Sequence, residues 1–228
     1  MPEMNPIAYM HSDFPEKFGI PRQSGLIEEL KSRIIFAPEY RDANALKGIE
    51  QYSHLWLIWV FLENVRDTGT WSPTVRPPRL GGNERMGVFA TRSPFRPNPI
   101  GLSCVRLERV LEVPGQGTVL EVSGADLMDG TPILDIKPYL PFTDCHPEAV
   151  CAFTQRGKMN TLQVEFPGEL LQKLPEEKRS SAVEVLALDP RPRYQEDPQR
   201  LYGVSFAGWD IRFHVAEGKL TVCGVEPL

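Results

Sequence analysis

His54-Leu55-Trp56-Leu57-Ile58-Trp59-Val60-Phe61-Leu62 is the most apolar run of the chain, and its reading sets the fold class. From Leu55 to Leu62 the run is apolar without interruption, yet a helix spanning a bilayer needs about 20 such residues. It is also short and rich in Trp, Ile, Val and Phe, which suits a pleated surface better than a helix. We read it as a buried core strand, with no membrane anchor.

Working outward, Ile7–Tyr9 reads as a short strand and residues 18–25 (FGIPRQSG) as an irregular connection marked by two glycines and a proline. Residues 27–36 (IEELKSRIIF) could be strand or helix, and residues 39–52 have a helical look that ends near Gly48. Ile100–Val113 and Val119–Val122 read as two strands joined through Pro114-Gly115-Gln116-Gly117. A turn at Gly130 and Pro132 then leads into another short strand, and Pro141–Gln155 reads mostly as loop. A helix is expected over Glu169–Leu188, with Ser181 and Glu184 at capping-box spacing, and Asp189-Pro190-Arg191-Pro192-Arg193-Tyr194 stops it. The tail alternates as a hairpin: Leu201–Phe206, Asp210–Val215 and Lys219–Val225. The expected class is mainly β, with a larger N-terminal domain over residues 1–158 and a small α+β C-terminal domain over residues 159–228.

Composition agrees. With 228 residues the chain can bury a sizeable core, and 22 prolines argue against a fold of long helices. Four dispersed cysteines without a C-x-x-C pair, and no signal-peptide pattern, lead us to expect free thiols and a cytoplasmic protein. Thr68–Asn98 contains five prolines and little periodicity, interrupted only by a short strand expected at Met86–Thr91. Loops of this length are either functional or disordered. Trp71, Met86, Val88, Phe89 and Phe95 would all be exposed by disorder, so an ordered working loop is expected.

The formal charge of −5 conceals an asymmetry. Between Arg76 and Arg96 stand Arg76, Arg79, Arg85, Arg92 and Arg96 against Glu84 alone, so this segment is cationic while the remainder is acidic. Arginine offers a planar fork for phosphate or carboxylate and a face that stacks on bases. Solvation of a long loop is the alternative. Among enzyme signatures, the phosphate-binding G-x-x-x-x-G-K-[ST], H-E-x-x-H and G-x-S-x-G are absent, and dispersed His and Cys give no metal spacing. Gly115-x-Gly117 lacks a third glycine and joins two strands, so a Rossmann site fails too. Two segments remain: Gly87–Gly101, where prolines stiffen a backbone carrying Arg92, Ser93, Arg96 and Asn98, and Asp126–Tyr139, where Asp126, Asp129 and Asp135 surround a tight turn. Each aspartate could equally cap its turn.

Residues 86–103 (MGVFATRSPFRPNPIGLS), with TVRPPRLGGN at 74–83, SHLWLIWVF at 53–61, DGTPILDIKPYLPF at 129–142 and DPRPRY at 189–194, resemble the signature blocks of the TrmO family, also called TsaA-like or YaeB-like proteins. The match runs in order from about Ile7 to Pro227. It implies an S-adenosylmethionine-dependent tRNA methyltransferase acting on N6 of N6-threonylcarbamoyladenosine at position 37 of threonine tRNA, beside the anticodon. It further implies a β-barrel N-terminal domain, neither Rossmann nor knotted, and a homodimer with cofactor near the subunit interface. Carried over, the cofactor region is Pro21, Arg22, Gln23, Ser53, His54, Leu55, Arg92, Leu102, Asp126, Leu127, Met128 and Asp129. No metal is expected.

Methyl transfer from a sulfonium to an amine needs donor and acceptor aligned at about 3 Å with water excluded. The N6 lone pair is delocalised into the ring, so acceptors for its hydrogens would help, and Asn98 and Asp129 are the candidates. Arg92 and Arg96 would bind the cofactor carboxylate, the acceptor's threonyl carboxylate or a tRNA phosphate. Arg76, Arg79, Arg85 and Arg96 are candidate RNA contacts, with Phe95 and Tyr139 as stacking platforms. Lys137 would either touch RNA or pair with Asp135. Arg191 and Arg193 would either pack or hold tRNA, with a lean to RNA. His54 is either a satisfied core histidine or a cofactor contact. Two other readings stay open: a non-catalytic RNA module responsive to S-adenosylmethionine, and a small-molecule methyltransferase on the same barrel.

Overall fold

The computed structural model describes residues 4–61, 71–77, 84–151, 161–191 and 197–228. Its strands dominate, as the alternating sequence leads one to expect. In chain order they are β1 (Ala8–His11), β2 (Lys31–Phe36), β3 (His54–Val60), β4 (Thr74–Val75), β5 (Met86–Gly87), β6 (Ile100–Val113), β7 (Gly117–Ser123), β8 (Pro132–Pro138), β9 (Gln163–Glu165), β10 (Tyr202–Phe206), β11 (Trp209–Ala216) and β12 (Lys219–Pro227). Three short α-helices are α1 (Pro141–Asp144), α2 (Gly168–Leu171) and α3 (Glu176–Ala187).

Six strands pair in the ring order β1-β2-β7-β6-β3-β8, and β8 returns to β1, so the sheet closes into a barrel. On β3 the side chains alternate strictly. Leu55, Leu57 and Trp59 point into the barrel core, while Trp56, Ile58 and Val60 face outward and are only half-buried. The run is therefore buried on one face, because a barrel wall has an outside. Inside the barrel Ala8, Met10, Ile34, Phe36, Val105, Leu120, Val122, Leu127 and Ile133 complete the core.

A second sheet has the order β10-β11-β12-β9 and carries α2 and α3. Its core takes Leu174, Val185 and Leu186 from the helical region and Val204, Phe206, Ile211, Phe213 and Leu220 from the strands. It also takes Phe14, Ile27 and Leu30, which precede most of the barrel in sequence. Asp13 fastens this junction: its carboxylate receives Lys178 Nζ at 2.6 Å and its carbonyl accepts the Ala207 amide at 2.8 Å. The expected boundary between residues 158 and 159 lies outside the described residues.

Several expectations need correction. Residues 39–52 form three separate 3-10 turns, Pro38–Tyr40, Ala43–Leu46 and Ile49–Gln51, rather than a helix. Asp42 caps the second turn through the Asn44 amide, and Gly48, at φ 90°, breaks the path. After Met86–Gly87 the expected strand becomes a 3-10 turn, Val88–Ala90. Among the described residues of 141–151, α1 is a single helical turn and the rest is irregular, as expected of a stretch that is mostly loop. The helix expected over 169–188 is two, because Pro175 starts α3 afresh. Ser181 is no cap. It lies buried inside α3 with its hydroxyl bonded to the Lys178 carbonyl at 3.1 Å. No helix among the described residues is long and apolar enough to cross a membrane.

Candidate functional site

The site is built where β7 stops. The β6–β7 ladder runs from Arg106↔Ser123 to Val113↔Gly117, so Ile100–Val105 has β3 on one side and no β7 partner on the other. Two loops take that open edge. Ser24 Oγ accepts the Cys104 amide at 3.1 Å, and the Gly25 amide bonds the Gly124 carbonyl at 2.8 Å. Gly124 has φ 74°, and a Cβ there would stand 3.2 Å from the Gly25 backbone, so only glycine permits this approach.

The opposite loop brings Asp126 to the same edge. Its Oδ1 accepts the Ser103 hydroxyl at 2.5 Å, and Ser103 in turn accepts Trp59 Nε1 at 3.0 Å inside the barrel. Burial pushes the Asp126 carboxyl above the usual aspartate range, while the Ser103 hydrogen bond and the nearby Arg92 charge pull it back in part. Arg92, delivered by the proline-braced segment, is exposed and donates through Nη1 to Gln23 Oε1. Gln23 also donates to the Arg22 carbonyl. Gln23, Arg92 and Asp126 thus converge from three distant parts of the chain. Pro21 is buried and Met128 half-buried, whereas Leu55 and Leu127 sit in the barrel core, which leaves a ligand only their backbone.

On the outer wall a shallow cavity of about 400 Å³ is lined by Trp56, Ile58, Leu102, Lys137, Thr143, Asp144 and His146. Leu102 and Ile58 are cross-strand partners, as are Cys104 and Trp56, so this wall adjoins the Ser24 contact. Asp144 accepts Trp56 Nε1 and the Leu140 amide, each at 2.9 Å, and these bonds hold its carboxyl below the usual range. His54 is exposed at the start of β3, with Nδ1 2.9 Å from Ser53 Oγ, which excludes the core-histidine reading. Tyr139 lies between His54 and Trp56, at 6.1 and 5.6 Å between ring centroids. Lys137 pairs with Asp135 at 2.8 Å, the structural alternative.

Asp129 stands apart from this convergence. Its Oδ1 accepts the Ser12 amide at 3.1 Å and lies 3.5 Å from His11 Nδ1, beside a cavity of about 250 Å³ whose other walls include Asp13, Ala207, Gly208 and Leu228. Asn98 is exposed, and among the described residues its side chain has no hydrogen-bond partner. Arg76 and Arg85 are exposed, with Arg85 reaching Thr74 Oγ1 at 3.4 Å. Arg96 bonds the carbonyls of Thr91 at 2.9 Å and Ser93 at 3.4 Å and so braces its own loop. Arg191 is held by Asp189 at 2.8 and 3.0 Å and its guanidinium packs against Tyr202, the contacts of the packing alternative. Arg79 and Arg193 lie outside the described residues.

Sequence reading missed Ser24, Ser103 and Trp59. A period-two count would have turned Ser103 inward, but nothing in the sequence pairs it with Asp126. The described residues contain no group of His, Cys, Asp or Glu side chains that could hold a metal ion. Trp71, Phe89 and Phe95 are exposed in the described part of this segment, so only Met86 and Val88 of the five apolar residues are sheltered there.

The chain resembles known proteins along most of its length. The tRNA-methyltransferase O N-terminal domain matches residues 9–145 and the TrmO C-terminal domain matches residues 159–228. The chain is 42% identical over 229 residues to the tRNA (adenine(37)-N6)-methyltransferase of Escherichia coli K12, covering 97% of this chain and 96% of that protein. A Pseudomonas aeruginosa relative, 40% identical over 92% of this chain and 91% of its own length, is named for dependence on S-adenosylmethionine. The crystal structure of TrmO from P. aeruginosa superposes with a TM-score of 0.79 at 33% identity, covering 100% of this chain and 98% of that one. With both domains matched in order and a relative aligned from end to end, this chain belongs to the tRNA-methyltransferase O family.

Proposed function

We propose that the protein is an S-adenosylmethionine-dependent tRNA methyltransferase that acts on N6 of adenine 37, and that its substrate is the threonylcarbamoylated adenosine of threonine tRNA. The observation that carries this reading is the convergence of Gln23, Arg92 and Asp126 on the open edge of β6, directly beside the arginine segment. When bound, S-adenosylmethionine supplies a methyl group made electrophilic by its sulfonium. The donor set fits it: Arg92 would hold its carboxylate, and the partly desolvated Asp126 carboxyl and Gln23 amide would hold its amino and hydroxyl groups.

The chain's own residues contribute mainly position. The pinned backbone from Thr91 to Gly101 holds Arg92 and Asn98 at fixed spacing, which lowers the cost of aligning the acceptor. Asn98 Oδ1 accepts a hydrogen of N6 and raises electron density on that nitrogen. The Ser12 and His11 contacts support a positioning part for Asp129 at the seam with the second sheet. The exposed Arg76 and Arg85 meet phosphates.

We read the assembly as a homodimer in the cytoplasm. Ile100 and Leu102 are exposed beside half-buried Trp56 and Ile58, an apolar stretch of barrel wall suited to a second copy. The free cysteines are consistent with a reducing compartment. The test is transfer of a labelled methyl group from S-adenosylmethionine to tRNA prepared with and without the threonylcarbamoyl group. Label on the modified tRNA alone supports the full reading. Equal label on both would retain adenine methylation and remove the threonylcarbamoyl requirement, and label on neither would remove the catalytic reading.

A further inference from the structure

The segment that carries the arginines also presents two aromatic rings that neither core uses. β4 and β5 pair Thr74 with Gly87 and Val75 with Met86, and the Val88 amide bonds the Pro73 carbonyl at 2.9 Å. Val88 is wholly buried and anchors this small hairpin. On either side of the anchor the pattern reverses. Phe89 is 70% exposed and Trp71 52% exposed, and their rings lie 5.8 Å apart at 37°. The Arg96 guanidinium stands 5.8 Å from the Phe89 ring, and its bonds to the Thr91 and Ser93 carbonyls fix it there.

Large rings held in water by a pinned backbone forgo burial, and a contiguous exposed aromatic surface marks an interaction site. We propose that Trp71, Phe89 and the Arg96 guanidinium form a stacking platform for an unpaired RNA base adjoining the adenine that is methylated. The proposal rests on the tRNA reading above and adds the residues that would grip a neighbouring loop nucleotide. Charge selects the occupant. Among the described residues of this segment, Arg76, Arg85, Arg92 and Arg96 face a single acid, Glu84, on a protein whose remainder is acidic. The ligand that satisfies both features is anionic along its backbone and flat in its side groups, which describes single-stranded nucleic acid. Every base has a π-face, so the platform would grip a loop nucleotide with little regard to its identity.

The test compares Trp71→Ala, Phe89→Ala and the conservative Trp71→Phe for binding to an anticodon stem-loop RNA, to a blunt duplex of equal length and to S-adenosylmethionine. Both rings are on the surface and Val88 is untouched, so the variants keep the hairpin. Each alanine variant is expected to bind the stem-loop about ten-fold more weakly, with a raised KM for tRNA. Duplex binding and cofactor affinity should be unchanged, and Trp71→Phe should restore most of the loss. Stem-loop affinity within about two-fold of wild type for both alanine variants would overturn the platform while leaving the methyltransferase reading intact. So would a shift from dimer to monomer in sedimentation with RNA affinity preserved, which would assign the patch to a second copy. A wild-type protein that binds no RNA at all would overturn both.

Discussion

Asp126 concentrates the physical chemistry of the proposed site at a single residue. Burial raises its carboxyl, and the Ser103 hydroxyl and the Arg92 charge offset this only in part. The folded protein therefore holds this proton more tightly than the unfolded chain. Its contribution to stability is complete below the ordinary aspartate value of about 3.9 and is lost as pH rises through the raised folded value. Asp126→Asn keeps the acceptor for Ser103 and removes the charge. We expect it to melt at or above the wild-type temperature at neutral pH, with the difference shrinking on acidification, while methyl transfer falls by about ten-fold or more. Thermal melts across that range check the sign, and a variant less stable than wild type at neutral pH would contradict it. At this scale the sequence is a partial guide. Asp126 and Arg92 stand in recognisable blocks, but the Gln23–Arg92 bond joins positions 69 residues apart, a pairing that no local pattern encodes. Lys137–Asp135 is legible because residues two apart on a strand share a face.

Among the elements, β6 does the most, since its first half bounds the site and its second half closes the barrel through β7. Gly101 is its tightest point. A Cβ there would lie 2.2 Å from the Trp59 indole, which is itself held by Ser103. Gly101→Ala should therefore cost about 1–3 kcal/mol or more and displace Ser103 from Asp126. Denaturant unfolding measures the cost, and a variant as stable as wild type with unchanged cofactor affinity would show that the indole relaxes freely. β3, β6, β7 and the hairpins of the second sheet are readable in advance because alternation and turn residues specify them locally. Residues 39–52 and 86–91 mislead for the opposite reason. Their apolar residues suit more than one local geometry, and Asp42 capping, Gly48 and the Pro73–Val88 bond decide among them.

For the whole molecule the separation into two domains is less clean than composition implies. Phe14, Ile27 and Leu30 come from the N-terminal part yet lie buried in the second core, and Lys178 reaches across to Asp13 at 2.6 Å. A chain ended after residue 151 would leave those three apolar side chains uncovered, each worth about 1.5–3 kcal/mol on burial. Calorimetry should show such a fragment melting well below the intact protein, and an equal midpoint would mean that the barrel does not depend on the second sheet. Long-range packing of this kind is invisible to periodicity. The net charge misleads at the same scale, averaging an acidic body over the one cationic segment. All of these features serve a single claim, that the open edge of β6 aligns a methyl donor with the adenine beside the anticodon. The direct measurement is mass spectrometry of nucleosides from threonine tRNA carrying the threonylcarbamoyl group, after incubation with the protein and S-adenosylmethionine. One added methyl group on N6 of the modified adenosine at position 37 is the expected result. Unchanged nucleosides despite bound cofactor and bound tRNA would contradict the account.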